Sequence, residues 1–290
     1  LIAEKNNTGK INLPKFYMRR TLRIWPLYFF IIAITPLYIH WLGIPSPNYI
    51  VNVFFINNFD AIYNNHFSLP FPHFWSICVE EHFYLVWPFI IAYLPKRRLV
   101  LTFSLIILSS ILFRVYIFET HSAPGLSLYL NTLSRIDILA IGCLIAYYYP
   151  VISKLRIPPA IRLSAYALLL IGLCTTSWTH VDSWVLAGVK KYYITILISI
   201  GVINYCFNPG AWLQLKKFNF IRYLGKISYG TYMYQEIILL IIFEKILIPY
   251  HIRSLVVCSL LVIALTILIP ALSYELLQKP FLKLKKHFEV

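Results

Sequence analysis

Apolar runs recur along the whole chain and are broken by short polar or proline-bearing joints. Runs approaching the roughly 20 residues that cross a hydrocarbon core of about 30 Å predict eight helices, at about 24–43, 77–94, 99–118, 130–149, 163–179, 190–207, 229–248 and 253–277. The joints are Leu94 to Arg98, Pro150 to Arg162, Asn208 to Lys226 and Pro249 to Arg253. The longest connection, His40 to Phe74, is rich in Asn, Pro and aromatic residues and holds no Lys or Arg. A helical stub is expected over Tyr49 to Asn58. No internal repeat stands out. The fold class is therefore all-α, a polytopic transmembrane helix bundle.

Composition strengthens this reading. Apolar residues make up 59% of the 290 and charged residues 13%, against about 45–50% and 25% in a soluble domain. Such a chain cannot cover itself with polar surface, so lipid is the implied solvent and residues 1–290 form one integral-membrane domain. Leu1 to Glu4 reads as the end of an apolar segment, which predicts a stretch of chain before it. The five cysteines lie in or beside apolar runs without ligand-like spacing and read as small core residues.

Charge adds an orientation. The net charge is +15, and 20 of the 26 Lys and Arg fall in 1–23, 95–98, 150–162, 208–228 and 278–290, which share one side if the helices alternate. Lys190, Lys191, Lys245 and Arg253 fall on the other side, while Arg114 and Arg135 lie within apolar runs. Cytoplasmic loops carry the Lys/Arg excess, so the loop 40–74 is expected to face out. Attraction to anionic membrane lipid accounts for the basic balance without a nucleic-acid partner.

Four constellations carry candidate chemistry. Arg20 and Arg23 share a helix face at i, i+3, as Arg19 and Arg23 do at i, i+4. Two guanidinium forks on one face can grip phosphate oxygens, although such clusters also serve as plain topological anchors. In the run Phe74 to Pro88, Glu80 and Glu81 stand near the expected outer start of a membrane helix, flanked by Trp75, Ser76, His82 and Tyr84. Carboxylates entering an apolar segment are expensive, and one held there suits proton transfer with a hydroxyl; dipole-favoured acids in an aromatic belt are the structural alternative. Arg135 and Asp137 lie in an apolar run two residues apart, so each should find partners on other helices, as a clamp or as a substrate contact. Gly142 and Ala146 are spaced for close helix packing. Ser228, Tyr229 and Tyr232 open a late helix and singly read as caps or interfacial anchors.

Taken in order, these pieces resemble the acyltransferase 3 family of membrane O-acyltransferases, from Phe16 to about Phe281. The likeness rests on Arg20 and Arg23, on the Trp75-Ser76 to Glu80-Glu81-x-Phe83-Tyr84 run, on Arg135-x-Asp137 with Gly142, and on Ser228-Tyr229-x-x-Tyr232. It implies ten helices, of which one or two precede residue 1, and a place in the bacterial cytoplasmic membrane. It further implies transfer of an acyl group, most simply acetyl, from acyl-CoA to a glycan or lipid-linked saccharide, with no metal. By the resemblance Arg20 and Arg23 meet the donor, Glu80 and Glu81 belong to the active-site run, and the family's catalytic His lies in a first helix outside this sequence. Gln235 and Gln278 stand where relatives often have His and Glu, and His82 where they often have Gln. Arg20 and Arg23 are expected at one end of the bundle and Glu80 near the other. A glycan or lipid transporter without acyl chemistry is the rival reading, since charges inside helices also mark transport pathways; a purely structural membrane partner is a third.

Overall fold

The computed structural model describes residues 1–121, 125–155, 157–175, 184–207, 217–251 and 254–288, without the side chains of 172–175, 184–190 and 206–207. Residues 176–179 of the expected fifth helix, Arg156, Lys216 and Arg253, and the side chains of Cys174, Cys206 and Lys190 lie outside that description. Each of the eight apolar segments is largely helical where described, with breaks at Asn131 and Tyr148 inside the fourth.

A short α1 (Ile2–Thr8) leads into the long α2 (Leu13–Leu42), which opens on an Asn12 cap whose side chain accepts from Lys15 N at 3.0 Å. The connection to the next long helix holds α3 (Tyr49–Val53) and α4 (Asn57–Tyr63), two short helices where one stub was expected. Then come α5 (Trp75–Tyr93) and α6 (Lys96–Thr120), joined through Leu94 and Pro95. The basic trio Lys96, Arg97 and Arg98 therefore forms the first turn of α6 instead of a loop. It is followed by α7 (Gly125–Leu130), α8 (Thr132–Tyr147), the single turn α9 (Tyr149–Ile152), α10 (Pro159–Thr175) and α11 (Trp184–Phe207). The chain ends in α12 (Asn219–Ile242), α13 (Leu255–Ser273) and α14 (Lys279–Leu284), with π-helical turns at Phe243–Leu247 and Tyr274–Gln278.

Among the described residues four helical stretches are long and apolar enough to cross a membrane on those grounds alone: Leu13–Leu42, Lys96–Thr120, Gly125–Tyr147 and Leu255–Phe288. In α13 only Pro270 is buried, while Leu255, Val256, Leu260 and Ile263 stand open. An apolar surface of that extent is a lipid-facing one. The other face of α13 packs against the core, where α2, α12 and the start of α5 bury Leu27, Tyr28, Ile31, Phe74, Ile77, Met233 and Ile238 together. Gly230 lets α12 approach α13: a Cβ there meets Pro270 Cβ and Gln278 Nε2 at 3.1 Å.

The connection 40–74 does not simply lie across one end of the bundle. Asn52, Asn57, Asn58, Phe71 and Phe74 are buried, and Tyr28, near the midpoint of the 30-residue α2, donates to the Asn52 carbonyl at 2.7 Å and packs on Phe74 at 4.8 Å. The inserted segment thus seats the start of α5 beside the middle of α2, with Glu80 and Glu81 in the first two turns of that helix, as their place in the sequence predicts.

Candidate functional site

The two motif helices α2 and α5 run antiparallel, and their matching levels bring the separate sequence pieces together. Arg20 lies over the Tyr84 ring at 4.4 Å and the Phe16 ring at 5.5 Å, and its Nη1 donates to Tyr84 Oη at 3.4 Å. Tyr84 Oη in turn donates to Glu80 Oε2, also at 3.4 Å. The expected separation of Arg20 and Glu80 to opposite ends is therefore overturned: one phenol links them. A helix-by-helix reading missed this because the inserted connection, and not the end of a span, sets where α5 begins.

Arg23 is exposed on the same side, and the Glu80 carboxylate feels both Arg20 and Arg23 electrostatically. Arg19 is otherwise engaged, donating to the Phe288 carbonyl at 2.6 Å and standing 3.6 Å from Glu4. Of the three arginines, Arg20 and Arg23 are the two turned toward the carboxylates. Glu81, the next residue of α5, also meets α2: Trp25 Nε1 donates to its Oε2 at 3.3 Å, and its Oε1 is buried without a partner among the described residues.

One turn earlier in α5, Ser76 Oγ bonds Tyr232 Oη, and both hydroxyls reach the His73 carbonyl. Tyr229 Oη donates to the Ile24 carbonyl at 2.9 Å, which fastens α12 to α2 beside Arg23. Tyr229 and Tyr232 thus join the constellation. Ser228 does not; its hydroxyl is spent on the Gly225 carbonyl at 3.0 Å in its own helix. The His73 ring is buried between Phe74 and Tyr232, at 5.0 and 5.1 Å, with neither nitrogen hydrogen-bonded. Burial pushes its pKa down to about 4, against a smaller opposing pull from the Met233 backbone, so it is neutral at physiological pH. His82 is held by Thr132, whose Oγ1 lies 2.8 Å from Nδ1, and by stacking on Phe59 at 5.6 Å. Gln278 is buried in the π-helical turn against Gly230, and Gln235 is half-buried on α12.

Arg135 and Asp137 part company, as their spacing predicts. Arg135 lies against the touching rings of Tyr129 at 4.4 Å and Trp75 at 5.4 Å, and its Nε donates to the Tyr129 carbonyl at 2.6 Å. Through Trp75 it touches the start of α5. Asp137 is fully buried in a separate cluster: Arg114 Nη1 lies 2.8 Å from Oδ2, Lys191 Nζ 2.6 Å from Oδ1, and Tyr192 also bonds the carboxylate. Lys191, counted above with the outer-side cations, sits inside α11, which begins at Trp184 rather than near residue 190. That Arg114 and Lys191 are the partners of Asp137 was missed; the signal was Arg114, a cation within an apolar run that had to find an acid. Gly142 does not mark close helix packing either, since a Cβ built on it meets nothing within 4 Å.

The arrangement places two arginines, two carboxylates and paired hydroxyls between α2, α5 and α12, with Arg23 and Glu80 exposed. It can hold an anionic group and, next to it, position a hydroxyl beside an acid–base group. A family model described as an acyltransferase domain matches residues 1–275. Among curated proteins the chain is similar to O-acetyltransferase OatA of Staphylococcus aureus, from strains NCTC 8325 / PS 47, COL and MRSA252 alike. The identity is 26% over 315 residues, covering 98% of this chain and 50% of each relative. The chain thus spans about half the length of the curated relatives it matches. No solved structure matches it.

Proposed function

The chain belongs to the acyltransferase 3 family, and from that membership we propose that it moves an acyl group, most simply acetyl, from cytoplasmic acyl-CoA to a hydroxyl of an exported or cell-surface glycan. The observation that carries this reading is the Arg20–Tyr84–Glu80 line. It joins a phosphate-gripping fork to a carboxylate on an open face bordered by the Phe16 and Tyr84 rings, where an entering donor reaches both. Arg20 and Arg23 take the donor phosphates, the task for which a planar guanidinium is better suited than an ammonium.

In the transfer a thioester C–S bond breaks and an ester C–O bond forms, while the acceptor hydroxyl gives up its proton and the thiol leaves. Glu80 orients or assists the group that takes that proton. Glu81 holds Trp25, Trp75 and the Ser76–Tyr232 pair bound the acceptor side, and Tyr229 keeps α12 in place. Arg135 is a positioning residue acting through Trp75, and Asp137 clamps three helices. The basic helix ends face the cytoplasm and the connection 40–74 reaches toward the outside of a bacterial inner membrane.

The test is mass spectrometry of surface glycans from cells with and without the gene, joined to transfer by the purified protein from labelled acetyl-CoA. The expected result is a gene-dependent ester, absent with Glu80→Gln. Identical glycans in both strains together with no transfer in vitro would overturn it.

A further inference from the structure

A cavity of about 320 Å³ lies between α8 and α11, away from the face just described. Both helices pack on α6 but leave this groove between them. Arg135 and Lys191 border one end, and Ile138, Ile141, Ile194 and Ile198 wall the rest. The hydroxyls of Thr195 and Ser199, also in the lining, donate to carbonyls of their own helix at 2.9 and 2.7 Å, so the wall is apolar in effect. Gly142 leaves the groove open at its far end.

The cationic end has capacity to spare. Arg135 uses Nε on the Tyr129 carbonyl and rests against two neighbouring rings, leaving both Nη groups without an acceptor among the described residues. Lys191 commits two of its three protons, to Asp137 and to the Ser134 carbonyl. Depth follows from α6: Arg114, bonded to the same Asp137, is eighteen residues beyond Lys96, or about 27 Å along the axis. The cations therefore sit near the headgroup level opposite the basic helix ends, and the apolar wall descends from them into the hydrocarbon. An anionic head over an apolar tail, entering from that leaflet, matches the groove in charge, polarity order and direction.

We propose that this groove binds one anionic phospholipid of the outer leaflet, its phosphate on Arg135 and Lys191 and its upper chain along the four isoleucines. The leaflet assignment rests on the orientation proposed above; the binding itself does not. Because Arg135 also stacks on Trp75, an occupied groove braces the start of α5.

Native mass spectrometry of the full chain, carrying defined lipid in detergent and with neither acyl donor nor acceptor present, tests this separately from the transferase reading. One phosphatidylglycerol should be retained per chain, about tenfold more readily than phosphatidylcholine. Gly142→Leu fills the groove with a better helix former and should cut retention about tenfold, as should Arg135→Gln, while Gly142→Ala should leave it unchanged. An unaltered thermal midpoint in Gly142→Leu keeps that variant informative if Arg135→Gln fails to fold. Equal retention of the two lipids, undiminished retention in Gly142→Leu, or full displacement by millimolar inorganic phosphate would each overturn the proposal.

Discussion

Arg20 and Glu80 share a single phenol: Tyr84 Oη accepts from the Arg20 guanidinium and donates to the Glu80 carboxylate, each at 3.4 Å. The guanidinium also lies on the Tyr84 ring, so the tyrosine serves both as a platform and as a relay. These two roles can be separated by substitution.

Tyr84→Phe keeps the ring under Arg20 and removes only the hydroxyl. A hydrogen bond to a charged group contributes roughly 1.5–3 kcal/mol, so transfer should fall about ten- to a hundredfold while acyl-CoA affinity changes little. Arg20→Ala should reverse the pattern, losing donor affinity, with Arg20→Lys a poor substitute. Calorimetric titration with acyl-CoA beside a transfer assay checks both. Unchanged transfer in Tyr84→Phe would leave the relay without a role.

His73 makes stability depend on pH. Its folded pKa of about 4 lies below the ordinary 6.5, so the unfolded chain takes up the proton first as pH falls. The contribution is fully present above pH 6.5 and is lost progressively as pH falls toward 4, amounting to about 3 kcal/mol over that window. Thermal unfolding in detergent across pH 4–7 should show a slope that His73→Phe, which preserves the packing on Tyr232, makes shallower. Equal slopes in the two proteins would mean that His73 titrates normally.

The eight helices were legible because apolar length is a local property of the chain, and the separation of Arg135 from Asp137 was legible because i and i+2 diverge on a helix. The level of α5 was not. It depends on Phe71, Phe74 and three buried asparagines tucking a polar, aromatic connection against Tyr28, a long-range packing choice that resembles an exposed loop in composition. The open side of Gly142 was illegible for a related reason: a small residue marks where a backbone can be approached, not whether anything approaches it.

Sidedness is testable with single cysteines at Asn64 and Arg97, both exposed, in a background with the five native cysteines replaced by Ala. An impermeant maleimide applied to intact cells should label the first and spare the second until the membrane is opened. Labelling of both from outside would reverse or abolish the proposed orientation.

The Asp137 cluster should dominate stability. The carboxylate is fully buried and receives Arg114 and Lys191 at 2.8 and 2.6 Å from two different helices, with Tyr192 as a third donor. Removing one member of a buried ion pair leaves its partner desolvated without the opposite charge, at a cost of about 3–5 kcal/mol. Asp137→Asn keeps the shape and takes away the charge facing both cations, so its unfolding midpoint should drop sharply and part of the protein should fail to insert. Lys191→Met removes one cation while Arg114 still neutralises the carboxylate, and it should cost less. The double variant Asp137→Asn with Lys191→Met should recover part of the loss, because one stranded charge goes with its counterpart. Thermal unfolding of the four proteins forms the cycle. A double variant no more stable than Asp137→Asn alone would show that Lys191 owes its place to the Ser134 carbonyl and not to the carboxylate.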